Sequence, residues 1–201
     1  MNPEGVKERV EETESSLAEK VLLRVLILSP LLLAVGFFSY LLLKPADLKN
    51  SKQIPRLQMG QLAPDFSFPD LEGRKVRLSS LRGRVVLLNI WATWCPTCIE
   101  EMPSLQKLHE SFQDRDLAVV SVSIDVLGEQ VVAPFMKKYG LSFPALLDPR
   151  GQIKKAYTTT GVPESFIIDR QGVVVHKVIG PRNWIEPTTL SFFEEMIKRS
   201  S

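Results

Sequence analysis

The chain has 201 residues, with 25 Lys and Arg against 23 Asp and Glu, for a formal net charge of +2. Nothing in that balance points to nucleic acid as a partner. With two cysteines in the whole chain, a scaffold of several disulfides is excluded.

In chain order, residues 1–20 are charged and rich in glutamate (Glu4, Glu8, Glu11, Glu12, Glu14, Glu19) and lack apolar periodicity. They read as a tail. From Val25 to Leu43 no charged residue occurs. At a helical rise of about 1.5 Å this run spans about 28 Å, close to the hydrocarbon thickness of a bilayer. Arg24 and Lys44 bracket it and can snorkel to the two interfaces. The run is longer than the apolar region of a cleaved signal peptide and lacks its small-residue exit. The expectation is a single uncleaved transmembrane helix over 21–43. Four basic residues flank each side (Lys7, Arg9, Lys20, Arg24 against Lys44, Lys49, Lys52, Arg56), so charge does not set its orientation. Residues 44–60 carry Pro45 and Pro55 among scattered charges and read as a tether. Residues 61–201 are long enough for one domain with its own core.

Within that domain Phe66–Phe68 and Lys75–Leu78 flank a turn at Asp70–Gly73, a hairpin pattern. Val85–Trp91 is almost wholly apolar, as a strand buried on both faces is. A helix is predicted from Pro96 to about Gln113, with Pro96 at its first position and Pro103 expected to kink it. A second buried strand follows at Leu117–Ile124, then a helix at about Glu129–Tyr139, a strand at Phe143–Leu147 and a short helix near Gly151–Tyr157. Ser165–Ile168 and Val173–Ile179 flank the turn Asp169–Gly172, and a last helix is predicted from Pro187 to Arg199. Strands alternating with helices and then an antiparallel hairpin give a mixed sheet covered by helices, an α/β fold.

The chemistry concentrates at Trp94-Cys95-Pro96-Thr97-Cys98. Two thiols three apart at a helix start can close a tight disulfide. A thiolate there lies among unpaired N–H groups at the positive end of the helix dipole, which favours the nucleophilic form. Zinc would need two further ligands, and His109 and His176 stand isolated in sequence. A purely structural bridge would close a minimal loop in a domain large enough to do without it. Redox exchange is the remaining reading, with no metal and no other cofactor expected.

The stretch Gly60-Gln61-Leu62-Ala63-Pro64-Asp65-Phe66 and the run Leu78–Cys95 ending Asn89-Ile90-Trp91-Ala92-Thr93-Trp94-Cys95 carry a further signal. Together with the element order, they resemble the TlpA/ResA/CcmG group of membrane-anchored thiol-disulfide oxidoreductases within the thioredoxin superfamily. The resemblance implies a thioredoxin-like sheet with an N-terminal β-hairpin extension and a central insertion. It makes Cys95 the exposed attacking cysteine and Cys98 the buried resolving one. Val162-Pro163 matches the cis-proline loop that faces the cysteines and offers its backbone to a substrate peptide. Glu101 matches the acid of the group's WCxxCxxExP pattern and would carry protons for the buried thiol. Glu164 matches the acid of a GxPE loop, with Trp94, Pro96, Val162, Pro163 and Glu164 as the substrate-contacting set. Asn89 departs from cytosolic thioredoxins, which have an aspartate there, and it cannot titrate.

The resemblance also implies protein disulfides as substrates, apocytochrome c among them, and a membrane thiol donor as the source of electrons. The tail would then be cytoplasmic and the redox domain extracytoplasmic. A general cell-envelope thiol reductase, for example in copper-centre assembly, is the alternative. A thiol peroxidase would share the Ala63-Pro64-Asp65-Phe66 opening but needs a hydroxyl three before its cysteine, where this chain has Ala92. A non-catalytic copper or peptide-binding module would want Met or His ligands near Cys95, and none is obvious there.

Overall fold

The computed structural model describes residues 29, 33–40, 57–112 and 114–199. The chain falls into two units, divided between residues 53 and 54. Of the first unit, residues 29 and 33–40 are described, and both are helical and exposed. The rest of the expected span over 21–43, the tail over 1–20 and most of the tether lie outside the described residues. Among the described residues no helix is long and apolar enough to cross a membrane.

The second unit begins with a two-stranded antiparallel hairpin, β1 (Ser67–Pro69) and β2 (Lys75–Arg77). Asp70 closes its turn: Oδ1 accepts the backbone N–H groups of Glu72 and Arg74, and Oδ2 accepts Arg74 Nε at 2.8 Å. A 3-10 turn (Leu78–Leu81) leads into β3 (Val85–Trp91), the middle of a five-stranded sheet. Helix α1 (Pro96–Phe112) returns the chain to β4 (Leu117–Ser123), parallel to β3. Helix α2 (Glu129–Tyr139), edge strand β5 (Ala145–Leu147) and the short helix α3 (Gln152–Ala156) follow β4. Then β6 (Glu164–Ile168) and β7 (Val174–Ile179) complete the sheet, and α4 (Pro187–Arg199) ends it. The order is β5-β4-β3-β6-β7, with β3, β4 and β5 parallel and β6 and β7 antiparallel.

All seven residues of β3 and of β4 are buried, which is why these strands read as continuous apolar runs. Alternation along β3 sends Val85, Leu87 and Trp91 to one core with α1, α2 and α4. It sends Val86, Leu88 and Ile90 to the other, with Phe66 and Phe68 of the hairpin segment and Ile153 and Tyr157 around α3.

Helix α1 continues through Pro103 without interruption. Strand β5 begins at Ala145 rather than at Phe143, because Phe143 is turned into the core and the Pro144 carbonyl accepts the Ser121 N–H ahead of the ladder. Residues 60–63 cover the β7 edge: Gly60 N–H donates to Val174 O, Val174 N–H to Gln61 O, and Ala63 N–H to Gly172 O. Only the start of the edge strand is thereby shielded from pairing with other chains.

One glycine is required by the β6–β7 turn. Gly172 has φ +80°, and a Cβ there would lie 0.6 Å from Arg82 Nη1, which donates to the Gln171 carbonyl at 2.6 Å. Gly172→Ala is expected to destabilise the domain by roughly 1–3 kcal/mol from the backbone conformation alone, with the clash adding to it. In urea denaturation, Arg82→Ala in the Gly172→Ala background should recover the clash part but not the backbone part. A Gly172→Ala midpoint equal to wild type would contradict this.

Candidate active site

The parallel strands β3 and β4 end side by side, and the chain leaves β3 toward α1 through Ala92–Cys95. Asp125, just past β4 and 3% exposed, fixes that exit. Its Oδ2 accepts the Thr93 N–H at 2.9 Å and the Ser123 hydroxyl at 2.7 Å, and its Oδ1 accepts the Thr93 hydroxyl at 2.7 Å. The Cys95 N–H then donates to Ala92 O, and α1 starts at Pro96, which has no N–H to lose.

Cys95 is the residue that caps this helix. Its carbonyl accepts the Ile99 N–H at 3.2 Å, and its Sγ accepts the Cys98 N–H at 3.1 Å. A capping side chain ordinarily uses oxygen for the second bond. Here sulfur takes that place, so once the disulfide is reduced the N–H that caps the helix would favour negative charge on Sγ. The Thr97 hydroxyl lies 3.4 Å from the same sulfur. Cys95 and Cys98 are joined in a disulfide with Cα atoms 5.2 Å apart, so the structure describes the oxidised protein.

Cys98 is 0% exposed and Cys95 4%. The asymmetry is the expected one, but Cys95 is far less open than its expected exposure suggested. Its sulfur is turned inward, bonded to Cys98 and 3.5 Å from the Val162 carbonyl oxygen. Trp94 (65% exposed), Pro96 and Thr97 form the exposed rim around it. Across from the cysteines, the Val162–Pro163 bond is cis, as the family pattern implied. The Pro163 carbonyl accepts the Gly180 N–H at 2.9 Å, which ties this loop to the end of β7.

Glu101 lies one turn beyond Cys98 on α1 and is 2% exposed. Its Oε1 accepts Asn89 Nδ2 at 2.7 Å, and its Oε2 accepts the Arg182 N–H at 3.1 Å and the Trp184 indole N–H at 3.3 Å. Burial outweighs these three donors and pushes its pKa from 4.5 up to about 7. A carboxyl in that range can hold or release a proton at neutral pH. Asn89 cannot titrate, but it holds the residue that can. Its Nδ2 also reaches Ser165 Oγ at 2.9 Å, so β3, β6 and α1 meet at one amide.

Glu164 does not lie on the rim. It is 0% exposed, its Oε2 accepts the Thr160 N–H at 3.1 Å, and its Oε1 is paired with Lys177 Nζ. Of the other residues singled out from sequence, Trp91 is core, 0% exposed and packed on Phe135 with ring centroids 5.1 Å apart. His176 is exposed. His109 is half-buried against Phe143, and burial lowers its pKa.

Sequence reading missed Trp184, Arg182, Asp125 and Lys177. Trp184 and Arg182 lie in a 181–186 loop without periodicity, more than 80 residues from Glu101. Asp125 carries the one usable signal, an acid just past the second strand predicted to be buried. Among the described residues no group of three or more His, Cys, Asp or Glu could hold a metal ion.

A two-cysteine helix cap facing a cis-proline loop, on a mixed sheet flanked by helices, defines a thioredoxin-like thiol-disulfide oxidoreductase. The chain belongs to the AhpC/TSA family, whose model matches residues 59–177, and within it to the ResA-like thiol-disulfide oxidoreductases. It is 37% identical over 161 residues to thiol-disulfide oxidoreductase ResA of Bacillus cereus (strain ZK / E33L), an alignment covering 80% of this chain and 88% of the relative. It is 42% identical over 126 residues to the thioredoxin-like protein YneN of Bacillus subtilis (strain 168), covering 62% and 73%. A crystal structure of a thiol:disulfide interchange protein of the thioredoxin family from Chlorobium tepidum TLS superposes with a TM-score of 0.58 at 27% identity, covering 70% of this chain and 95% of the other.

The raised pKa of Glu101 has a consequence for stability. The folded state binds the Glu101 proton more tightly than the unfolded state does. Stability from this group is therefore highest below pH 4.5 and falls as pH rises toward about 7, by up to about 3 kcal/mol. Glu101→Gln should remove this slope, so that the stability gap between variant and wild type changes by about that amount between pH 4.5 and 8. Parallel curves in urea denaturation across that range would refute the assignment.

Proposed function

We propose that the chain is a membrane-tethered dithiol reductant acting outside the cytoplasmic membrane, held by a helix over 21–43 with residues 1–20 on the cytoplasmic side. The observation that carries the exchange chemistry is the sulfur of Cys95 serving as helix cap beside the Val162 carbonyl, with Cys98 sealed behind it. In the reduced protein the Cys95 thiolate attacks a substrate disulfide, forming a mixed disulfide and releasing one substrate thiolate. Cys98 then attacks Cys95 Sγ, which frees the second substrate thiol and leaves the Cys95–Cys98 disulfide. Two electrons pass to the substrate.

The proton lost by Cys98 before its attack needs an acceptor in a dry site. Glu101 is the buried group on the same helix face whose pKa lies near neutrality. Trp94, Pro96 and the half-buried Val162 supply the surface on which the substrate chain lies, paired by backbone to residue 162, while Pro163 is buried behind it and shapes the loop.

The substrate favoured by the resemblance is the CxxCH disulfide of apocytochrome c before haem attachment. Other cell-envelope thiols, including copper-centre assembly factors, form the second group. Re-reduction would come from a membrane thiol donor. Apolar residues 25–43 support the tether, and the relatives named as oxidoreductases support the chemistry.

The test uses the full chain, reduced and supplied with an oxidised CxxCH peptide. Wild type should reduce the peptide, Cys95→Ser should fall to the uncatalysed rate, and Cys98→Ser should accumulate a mixed disulfide through Cys95. Turnover by Cys95→Ser would refute the reading, as would peroxide consumption faster than peptide reduction or tight retention of Cu(I). Protease protection in sealed membrane vesicles reads the topology: cleavage of the 61–201 domain from the cytoplasmic face would refute the extracytoplasmic placement.

A further inference from the structure

Glu164 follows the cis-proline directly, yet alternation along β6 turns it into the sheet face that also carries Phe166 and Ile168. Its register partners are Ile90 on β3 and Ile179 on β7, both apolar. A carboxylate 0% exposed in such surroundings stays charged only if it is neutralised and hydrogen-bonded. Lys177 supplies the charge. It stands opposite Phe166 on β7, the diagonal neighbour of Glu164 on the same face. Its stem crosses the Phe166 ring with Nζ 5.1 Å from the centroid, and Nζ pairs with Glu164 Oε1. The other oxygen, Oε2, accepts the N–H of Thr160.

The chain between Thr160 and Glu164 is thus closed into a small ring by its own last side chain. Within that ring lie Val162, whose carbonyl is 3.5 Å from Cys95 Sγ, and Pro163, whose carbonyl is bonded to Gly180. The geometry points to Lys177 as a positioning residue for disulfide exchange. By pairing with the Glu164 carboxylate and holding it in place, it sets the loop backbone against which the substrate polypeptide must pair. Lys177 touches neither cysteine and acts through Glu164. The inference rests on exchange at Cys95 with a protein partner, and it replaces direct substrate contact as the role of Glu164.

Four full-chain variants test it: Lys177→Met, Lys177→Arg, Glu164→Gln and the double Glu164→Gln/Lys177→Met. Two readouts are taken on each. Amide hydrogen exchange over residues 158–163 reports the loop. Reduction of insulin, compared with reduction of the small disulfide DTNB, reports the exchange reaction.

Lys177→Met should speed exchange in the loop. It should also raise KM for insulin about tenfold with kcat little changed. The DTNB rate, which needs no strand pairing, should not move. Lys177→Arg should restore both readouts. The double variant should also recover most of the loss, because the neutral amide introduced at position 164 can still accept the Thr160 N–H and no unpaired charge remains.

The proposal is overturned if Lys177→Met matches wild type in loop exchange and insulin KM, if insulin and DTNB rates fall together, or if the two single losses simply add in the double. If Lys177→Met does not fold, the double decides: a folded protein with near-wild-type insulin KM supports the pair, and one that also fails to fold overturns it. Wild type inert toward insulin would count against the exchange function, while the loop amides would still decide the role of Lys177.

Discussion

The N–H of Cys98 donates to the sulfur of Cys95, and the remaining features of the site are arranged around that bond. A helix start leaves several donors without partners. Most helices satisfy one of them with an oxygen from Ser, Thr, Asp or Asn. Using a cysteine instead makes the cap itself the reactive group. The same donor that holds the helix end lowers the cost of charge on sulfur. Because the donor belongs to Cys98, the attacking sulfur is held beside the one that must later displace it.

Holding that cap requires a rigid approach from the sheet. Asp125 supplies it with three bonds from Thr93 and Ser123, so β3 and β4 leave the sheet as one locked edge. On the far side of the cysteines, Gly180 and Glu164 hold the cis-proline loop. The two sulfurs therefore lie between two loops, each tied down by a buried carboxylate. Glu164 meets a lysine across the hairpin. Glu101, a further buried acid, meets only neutral donors, and its pKa rises to about 7. Two carboxylates flanking one disulfide are thus set to different tasks by what each one faces.

Much of this was legible along the chain. The apolar runs at Val85–Trp91 and Leu117–Ser123 announced central strands because both their faces are covered, and α2 and α4 begin and end where their turn signals place them. The hairpin at Asp70–Gly73 was readable because one aspartate side chain satisfies the whole turn locally. Phe143 was misplaced in a strand because an apolar aromatic reads alike in a ladder and in a core. Trp184, Arg182 and Lys177 left no local trace as site residues, since their partners lie 81 or 83 residues away for the first two and 13 away across a hairpin for the third.

The sequence by itself determined the reactive pair, the order of the elements and the apolar run at 25–43, because each of these depends on neighbours along the chain. Only the tertiary structure decided the accessibility and charge of the site: Cys95 4% exposed, Glu101 raised by burial, and Glu164 neutralised by Lys177. Desolvation and ion pairing depend on what lies across the fold, and no window along the chain contains that information.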